Sequence, residues 1–148
     1  MTEQTQTPAA ALLTLRILWG ALIAGQIGFA VVLVVLWSTG TAALDDRLAR
    51  RMLPFIVAGA GVLVPLAIFV RMQVYKAHWR EDLIDPQGYF LGNLAFLAML
   101  EGGSMASLVN ALLGGTFVPY ALPALFLLAV QVLAFPTGGP MHPTSPRV

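Results

Sequence analysis

The sequence predicts an all-α, four-helix transmembrane bundle built from antiparallel hairpins, and three observations predict it. Hydrophobic residues make up 58% of the 148 and charged residues only 10%, against about 25% charged in an ordinary soluble domain. The apolar residues stand in four blocks, 17–37, 52–70, 89–113 and 117–135, each long enough to reach across a hydrocarbon core about 30 Å thick. Charged residues and turn formers gather between the blocks. A soluble core in so short a chain cannot hide that many long apolar runs.

Residues 1–10 are polar or small and are expected to be a flexible tail. The first block, 17–37, carries Arg16 and Trp19 at one end and Trp37 at the other, the residue types that anchor a span at the two interfaces. Its 21 uncharged residues and the acidic leader containing Glu3 differ from a signal peptide, which has an apolar region of about 7–15 residues behind a basic leader. Thr41-Ala42-Ala43 is therefore expected to remain uncleaved. A short loop, 38–51, holds Asp45, Asp46, Arg47, Arg50 and Arg51.

The second block, 52–70, has Pro54 in its first turn, where the missing N–H is harmless, and Pro65 inside, where a kink is expected. The main polar connection follows, with Arg71, Lys76, Arg80, Glu81, Asp82 and Asp85, and Asp85-Pro86-Gln87-Gly88 turns the chain into the third block. Gly114-Gly115-Thr116 is so short a link that the third and fourth blocks must form an antiparallel hairpin. Pro119 and Pro123 lie near the start of the fourth, and 136–148 is expected to be a second flexible tail. Arg16, Arg71, Lys76, Arg80 and Arg147 fall on the side of the termini and Arg47, Arg50 and Arg51 on the other. By the excess of basic residues, both termini are expected in the cytoplasm, with the chain in a cell membrane, the bacterial inner membrane.

Net charge is +1, which offers no field for nucleic acid. There is no cysteine for disulfide or thiolate chemistry, and His78 and His142 are isolated, short of the three or four ligands a zinc site needs. Neither a Ser-His-Asp order nor a phosphate-cradling loop is present. The sequence thus points away from an enzyme and implies no cofactor and no metal. The expected partners are the lipid bilayer and either further copies of the chain or subunits of a membrane complex.

Glu101 is the one Asp, Glu, Lys, Arg or His inside the four blocks. It is central to 89–113, roughly 18 Å from either end of that helix, where a carboxylate costs at least about 2.5–3.5 kcal/mol. A protonated carboxyl there can release its proton to a polar path or a cation, or can merely hydrogen-bond a neighbouring helix. Asn93 and Ser104 share its helix face, and Gln26 and Gln131 are the polar residues of the first and fourth blocks best placed to meet it. Asn110 points nearly opposite. Small residues recur at Gly20, Ala24 and Gly28, at Ala58-Gly59-Ala60-Gly61, and at Ala95, Ala98, Gly102 and Ala106, rows expected to let these helices pack closely.

The segment Leu97-Ala98-Met99-Leu100-Glu101-Gly102-Gly103-Ser104-Met105-Ala106-Ser107-Leu108-Val109 resembles the carboxylate helix of the proteolipid (c-type) subunits of rotary ATPases, over 97–113. There a Glu after Ala-Leu-x, with Leu-Val following, binds the transported proton or sodium ion. The resemblance implies Glu101 as the ion-binding residue. The family's Gly-x-Gly-x-Gly row is reduced here to Gly59 and Gly61, its Arg-Gln-Pro loop to Arg71-Met72-Gln73, and Ala106-Ser107 stands where its aromatic-Gly pair would be. The layout is also similar to that of uncharacterised bacterial four-span membrane proteins. Two readings stay open: proton or cation handling through Glu101, and a structural or assembly subunit without transport chemistry.

Overall fold

The computed structural model describes residues 7–40, 44–80 and 83–141. The expectations placed on 1–6, on Thr41-Ala42-Ala43, on Glu81 and Asp82, and on His142 and Arg147 lie outside those residues. The chain is an all-α bundle of four helices: α1 (Pro8–Ser38), α2 (Asp46–Ala77), α3 (Pro86–Gly114) and α4 (Leu122–Leu133). A two-residue antiparallel pair, β1 (Trp79–Arg80) with β2 (Leu83–Ile84), joins α2 to α3, with Trp79 opposite Ile84. A short 3-10 turn, Gly139–Met141, ends the described chain.

The helices begin and end where backbone chemistry allows. Thr7 accepts a hydrogen bond from the Ala10 N–H and Pro8 fills the first turn of α1. Asp45 caps α2 through the Leu48 N–H at 2.9 Å. Gly115, at φ 67°, closes α3 in the left-handed conformation that glycine adopts without strain. Helices α1, α2 and α3 are each long and apolar enough to cross a membrane. The 32 residues of α2 span roughly 48 Å, more than the hydrocarbon core requires. The expected loops 38–51 and 71–88 therefore shrink, because 46–51 and 71–77 continue the helix. Polar residues beyond the apolar stretch are as comfortable in a helix as in a loop once water is available. Pro54 and Pro65 both stay within the continuous helix.

The fourth block departs from expectation. Of 117–135 only the 12 residues of α4 are helical, roughly 18 Å of rise and too short to cross alone. Gly115 ends α3, and a non-helical turn follows through Ala121. Ser107 Oγ ties that turn to α3, donating to the Tyr120 carbonyl at 2.8 Å and accepting from the Ala124 N–H at the start of α4 at 3.1 Å. Beyond α4 the chain has no regular secondary structure through Gly138 and is tied by Arg16 Nε donating to the Pro136 carbonyl and by the Gly138 N–H donating to Tyr89 Oη. Pro136, Gly138 and Met141 are buried, so 136–141 packs on the bundle rather than forming part of a free tail. Irregular backbone in a membrane bundle is tolerable where protein supplies the missing hydrogen bonds.

Helix α3 is the hub. It packs against α2, α4 and α1, while α1 and α2 scarcely meet. One apolar cluster gathers Leu15, Tyr75, Tyr89, Phe96, Leu97, Leu100 and Leu127 toward the end of the bundle where α3 begins. A second gathers Leu33, Ala49, Leu108, Ala111, Tyr120 and Ala124 at the other end.

Apart from the buried Ala60, the small-residue rows are not the seams of this bundle. A Cβ added at Gly20, Gly28, Gly59, Gly61 or Gly102 meets nothing within 4 Å, and Ala24, Ala58, Ala98 and Ala106 are exposed. Close approach occurs instead at Gly92, where an added Cβ would lie 2.7 Å from Tyr75 Cε1, and at Gly103, where it would meet Leu63 and Leu127.

Candidate functional site

Glu101 lies near the middle of α3 and is half-buried. At 100° per residue it falls at the edge of the inward row made by Leu97, Ser104 and Leu108, with Ala98 and Gly102 on its outer side. Leu97, Ser104 and Leu108 are buried, whereas Ala98 and Gly102 are exposed. Among the described residues, no hydrogen bond or ion pair reaches the Glu101 carboxyl.

The polar residues that the sequence grouped with it are engaged elsewhere. Asn93 donates through Nδ2 to Tyr75 Oη at 2.6 Å and to the Tyr89 carbonyl at 2.7 Å. Arg71 Nε donates to the same Tyr75 oxygen at 3.0 Å, its guanidinium lies over the Tyr75 and Phe96 rings, and Tyr75 stacks on Tyr89. Asn93 therefore belongs to an aromatic knot joining α2 and α3, two helical turns from Glu101. Ser104 faces α4 and donates to the Ala124 carbonyl at 3.5 Å, the long limit of a hydrogen bond.

Gln26 and Gln131 do meet, though they meet each other rather than Glu101. Gln26 Nε2 donates to Gln131 Oε1 at 2.8 Å, joining α1 to α4, and Trp19 Nε1 donates to the Gln131 backbone carbonyl at 2.9 Å. Both side chains are fully buried, and Gln26 Oε1 and Gln131 Nε2 have no partner in the bundle. A single neutral hydrogen bond between two buried amides is the glue expected between helices in lipid. Asn110 turns away from Glu101, as its spacing implies, and donates to the Ala49 carbonyl of α2 at 3.3 Å.

A cavity of about 370 Å³ opens between α1, α3 and α4, walled by apolar side chains, with Gln26 and Ser104 as its only polar wall residues. Glu101 is outside that wall. At the end of the bundle where α2 begins, Asp46 pairs with Arg50 at 2.7 Å and accepts from Tyr120 Oη at 2.9 Å. Asp46 precedes the apolar stretch that begins at Met52. The hydrogen bond from Arg50, then that from Tyr120, holds its carboxyl below the ordinary aspartate range.

Sequence reasoning missed the Arg71–Tyr75–Asn93–Tyr89 knot. The available signal was the i, i+4 spacing of Arg71 and Tyr75 in a helix that runs past Val70. Glu101 is a single carboxyl on the flank of α3, near the middle of that helix and without a partner among the described residues. No protein-family model, no curated protein and no solved structure matches this chain.

Proposed function

We propose that this chain is an integral protein of the bacterial inner membrane, with cytoplasmic termini, in which Glu101 carries a proton or cation at mid-depth. One observation carries the reading. Asn93, Ser104, Ser107, Asn110, Gln26 and Gln131 each make a hydrogen bond within the bundle, whereas Glu101 has no partner among the described residues. A residue kept only to join helices within this chain would be expected to make such a bond. A carboxyl held in hydrocarbon without one is costly and is by default a functional group. The resemblance of 97–113 to the carboxylate helix of rotary-ATPase proteolipids supports the same assignment.

The test is passive proton or sodium flux in liposomes containing the purified protein. Glu101→Gln, which keeps the shape and loses the titratable proton, should reduce flux to the level of empty liposomes. Glu101→Asp should retain part of it.

The second reading is a structural or assembly subunit, favoured by the interhelical bonds of Gln26–Gln131, Ser107 and Asn110. It holds instead if Glu101→Gln matches the wild type in flux and growth while Glu101→Leu dissociates the assembled complex.

A further inference from the structure

We propose that Arg71 and Tyr75, one turn apart on α2, form a seat for the phosphate of a membrane phospholipid. The inference is independent of the reading above, since Glu101 takes no part in it.

The Tyr75 hydroxyl lacks an acceptor for its own hydrogen. Two donors already reach its oxygen, Arg71 Nε at 3.0 Å and Asn93 Nδ2 at 2.6 Å. The second bond cannot be reversed by turning the amide, because the same nitrogen also donates to the Tyr89 carbonyl at 2.7 Å. A turned amide would set oxygen against oxygen there. A hydroxyl has two lone pairs and one hydrogen. With both lone pairs taken, the hydrogen has to be given away, and none of the described residues receives it. Tyr75 is only 6% exposed, and a buried donor left unmet is costly.

Arg71 shows the same want on a larger scale. Its Nε–H is spent on Tyr75, and its guanidinium is held over the Tyr75 and Phe96 rings. The four terminal N–H groups have no partner among the described residues. Because the guanidinium adjoins the hydroxyl, one acceptor beside them can serve both. That acceptor should be an anion with several oxygens, which a guanidinium fork grips through two parallel bonds.

Depth names the source of the anion. Helix α2 carries no charge between Arg51 and Arg71, and the rise from one to the other is about 30 Å, the thickness of the hydrocarbon core. Arg71 therefore stands at the boundary where hydrocarbon gives way to headgroups. Phospholipid phosphates are concentrated at that level, and the arginine is already fixed in place to meet one.

The purified protein in an uncharged detergent, titrated with phosphatidylglycerol and followed by native mass spectrometry, should retain one lipid at low concentration. Arg71→Gln should weaken that binding about 10- to 150-fold, the range for hydrogen bonds to a charged group. Tyr75→Phe, which keeps the ring and removes the hydroxyl, should weaken it about 10-fold. Arg71→Lys, which keeps the charge and loses the fork, should fall between wild type and Arg71→Gln. Lys76→Gln removes an exposed cation near the same end of α2 and should change binding by about 2-fold at most. Neither a galactosyl diacylglycerol, which has no phosphate, nor millimolar inorganic phosphate should compete. No retained lipid, or full competition by the galactolipid, overturns the site, and competition by inorganic phosphate overturns its assignment to lipid. An equal loss with Lys76→Gln reduces the binding to net charge and overturns the seat. So does unchanged binding in Tyr75→Phe or Arg71→Lys, which leaves water as the acceptor. Glu81→Gln/Asp82→Asn should leave binding unchanged. A gain there as large as the Arg71→Gln loss makes those carboxylates the acceptor and overturns the proposal.

Discussion

The two faces of α3 are made of similar residues and do opposite things. The inward face carries Gly92, Asn93, Gly103, Ser104 and Ser107, and every one is filled: the glycines by Tyr75, Leu63 and Leu127, the polar groups by hydrogen bonds. The outward face carries Ala98, Gly102 and Ala106, all exposed, with open space around Gly102; Glu101 lies at the edge between the two faces, unpaired among the described residues. Gly102 and Gly103 are neighbours in sequence and 100° apart on the helix. In an apolar segment, then, small and polar residues announce that something will pack against them without saying whether it comes from the same chain.

Substitutions at that pair should separate the faces most clearly. Gly103→Leu drives a side chain into Leu63 and Leu127 and should destabilise the bundle by about 1–3 kcal/mol, as overpacking does, measured by thermal unfolding in detergent. Gly102→Leu should leave the unfolding midpoint of the dilute protein unchanged. If Gly102→Leu proves the more damaging, the two faces have been assigned the wrong way round.

Ser107→Ala should come next. It strands the Ala124 N–H and the Tyr120 carbonyl together, at about 1–2 kcal/mol, and should appear as loosened exchange protection at the start of α4. Gln26→Leu removes a single interhelical bond and should cost about 0.6–1.7 kcal/mol. The double variant Gln26→Leu/Gln131→Leu should be no worse than the single one, since replacing both partners leaves no orphaned buried amide. A double-mutant cycle measures this directly.

The smallest expected effect lies at the Asp46–Arg50–Tyr120 contact. Its aspartate is held below the usual range in the folded state, so its contribution is present above the unfolded value near 3.9 and fades as pH falls through the lower folded value. Asp46→Asn should therefore be less stable than wild type by a constant amount above about pH 4, a difference that shrinks as pH falls further, with the two converging once both carry a neutral side chain.

The all-α class was legible from hydropathy alone, because long uncharged runs have no other home; of the four expected spans, three are helices long and apolar enough to cross a membrane and α4 is not. The helix ends were less so: hydropathy marks where lipid stops, and α2 continues through Arg71 and Tyr75 because a helix needs no apolar residues once it reaches water. The shortness of α4 was written in Gly114-Gly115 and Pro119, but the Ser107 hydroxyl that makes the following turn tolerable lies on another helix. Gln26 and Gln131 were visible as polar residues in apolar blocks, yet their pairing across 105 positions of sequence depends on how α1 and α4 are laid against each other. The same limit explains the rows at Gly20, Gly59 and Gly102: a four-residue period fixes that residues share a face and leaves the direction of that face undetermined.

Carbodiimide labelling of Glu101 as a function of pH tests the central claim most directly. The reagent attacks protonated carboxyls in apolar surroundings, and the labelled peptide is identified by mass. A carboxyl that holds and releases a proton at mid-depth should label readily at neutral pH and progressively less as pH rises, with Asp45, Asp46 and Asp85 unlabelled throughout. No labelling of Glu101 at any pH, or labelling that does not change with pH, would contradict the account.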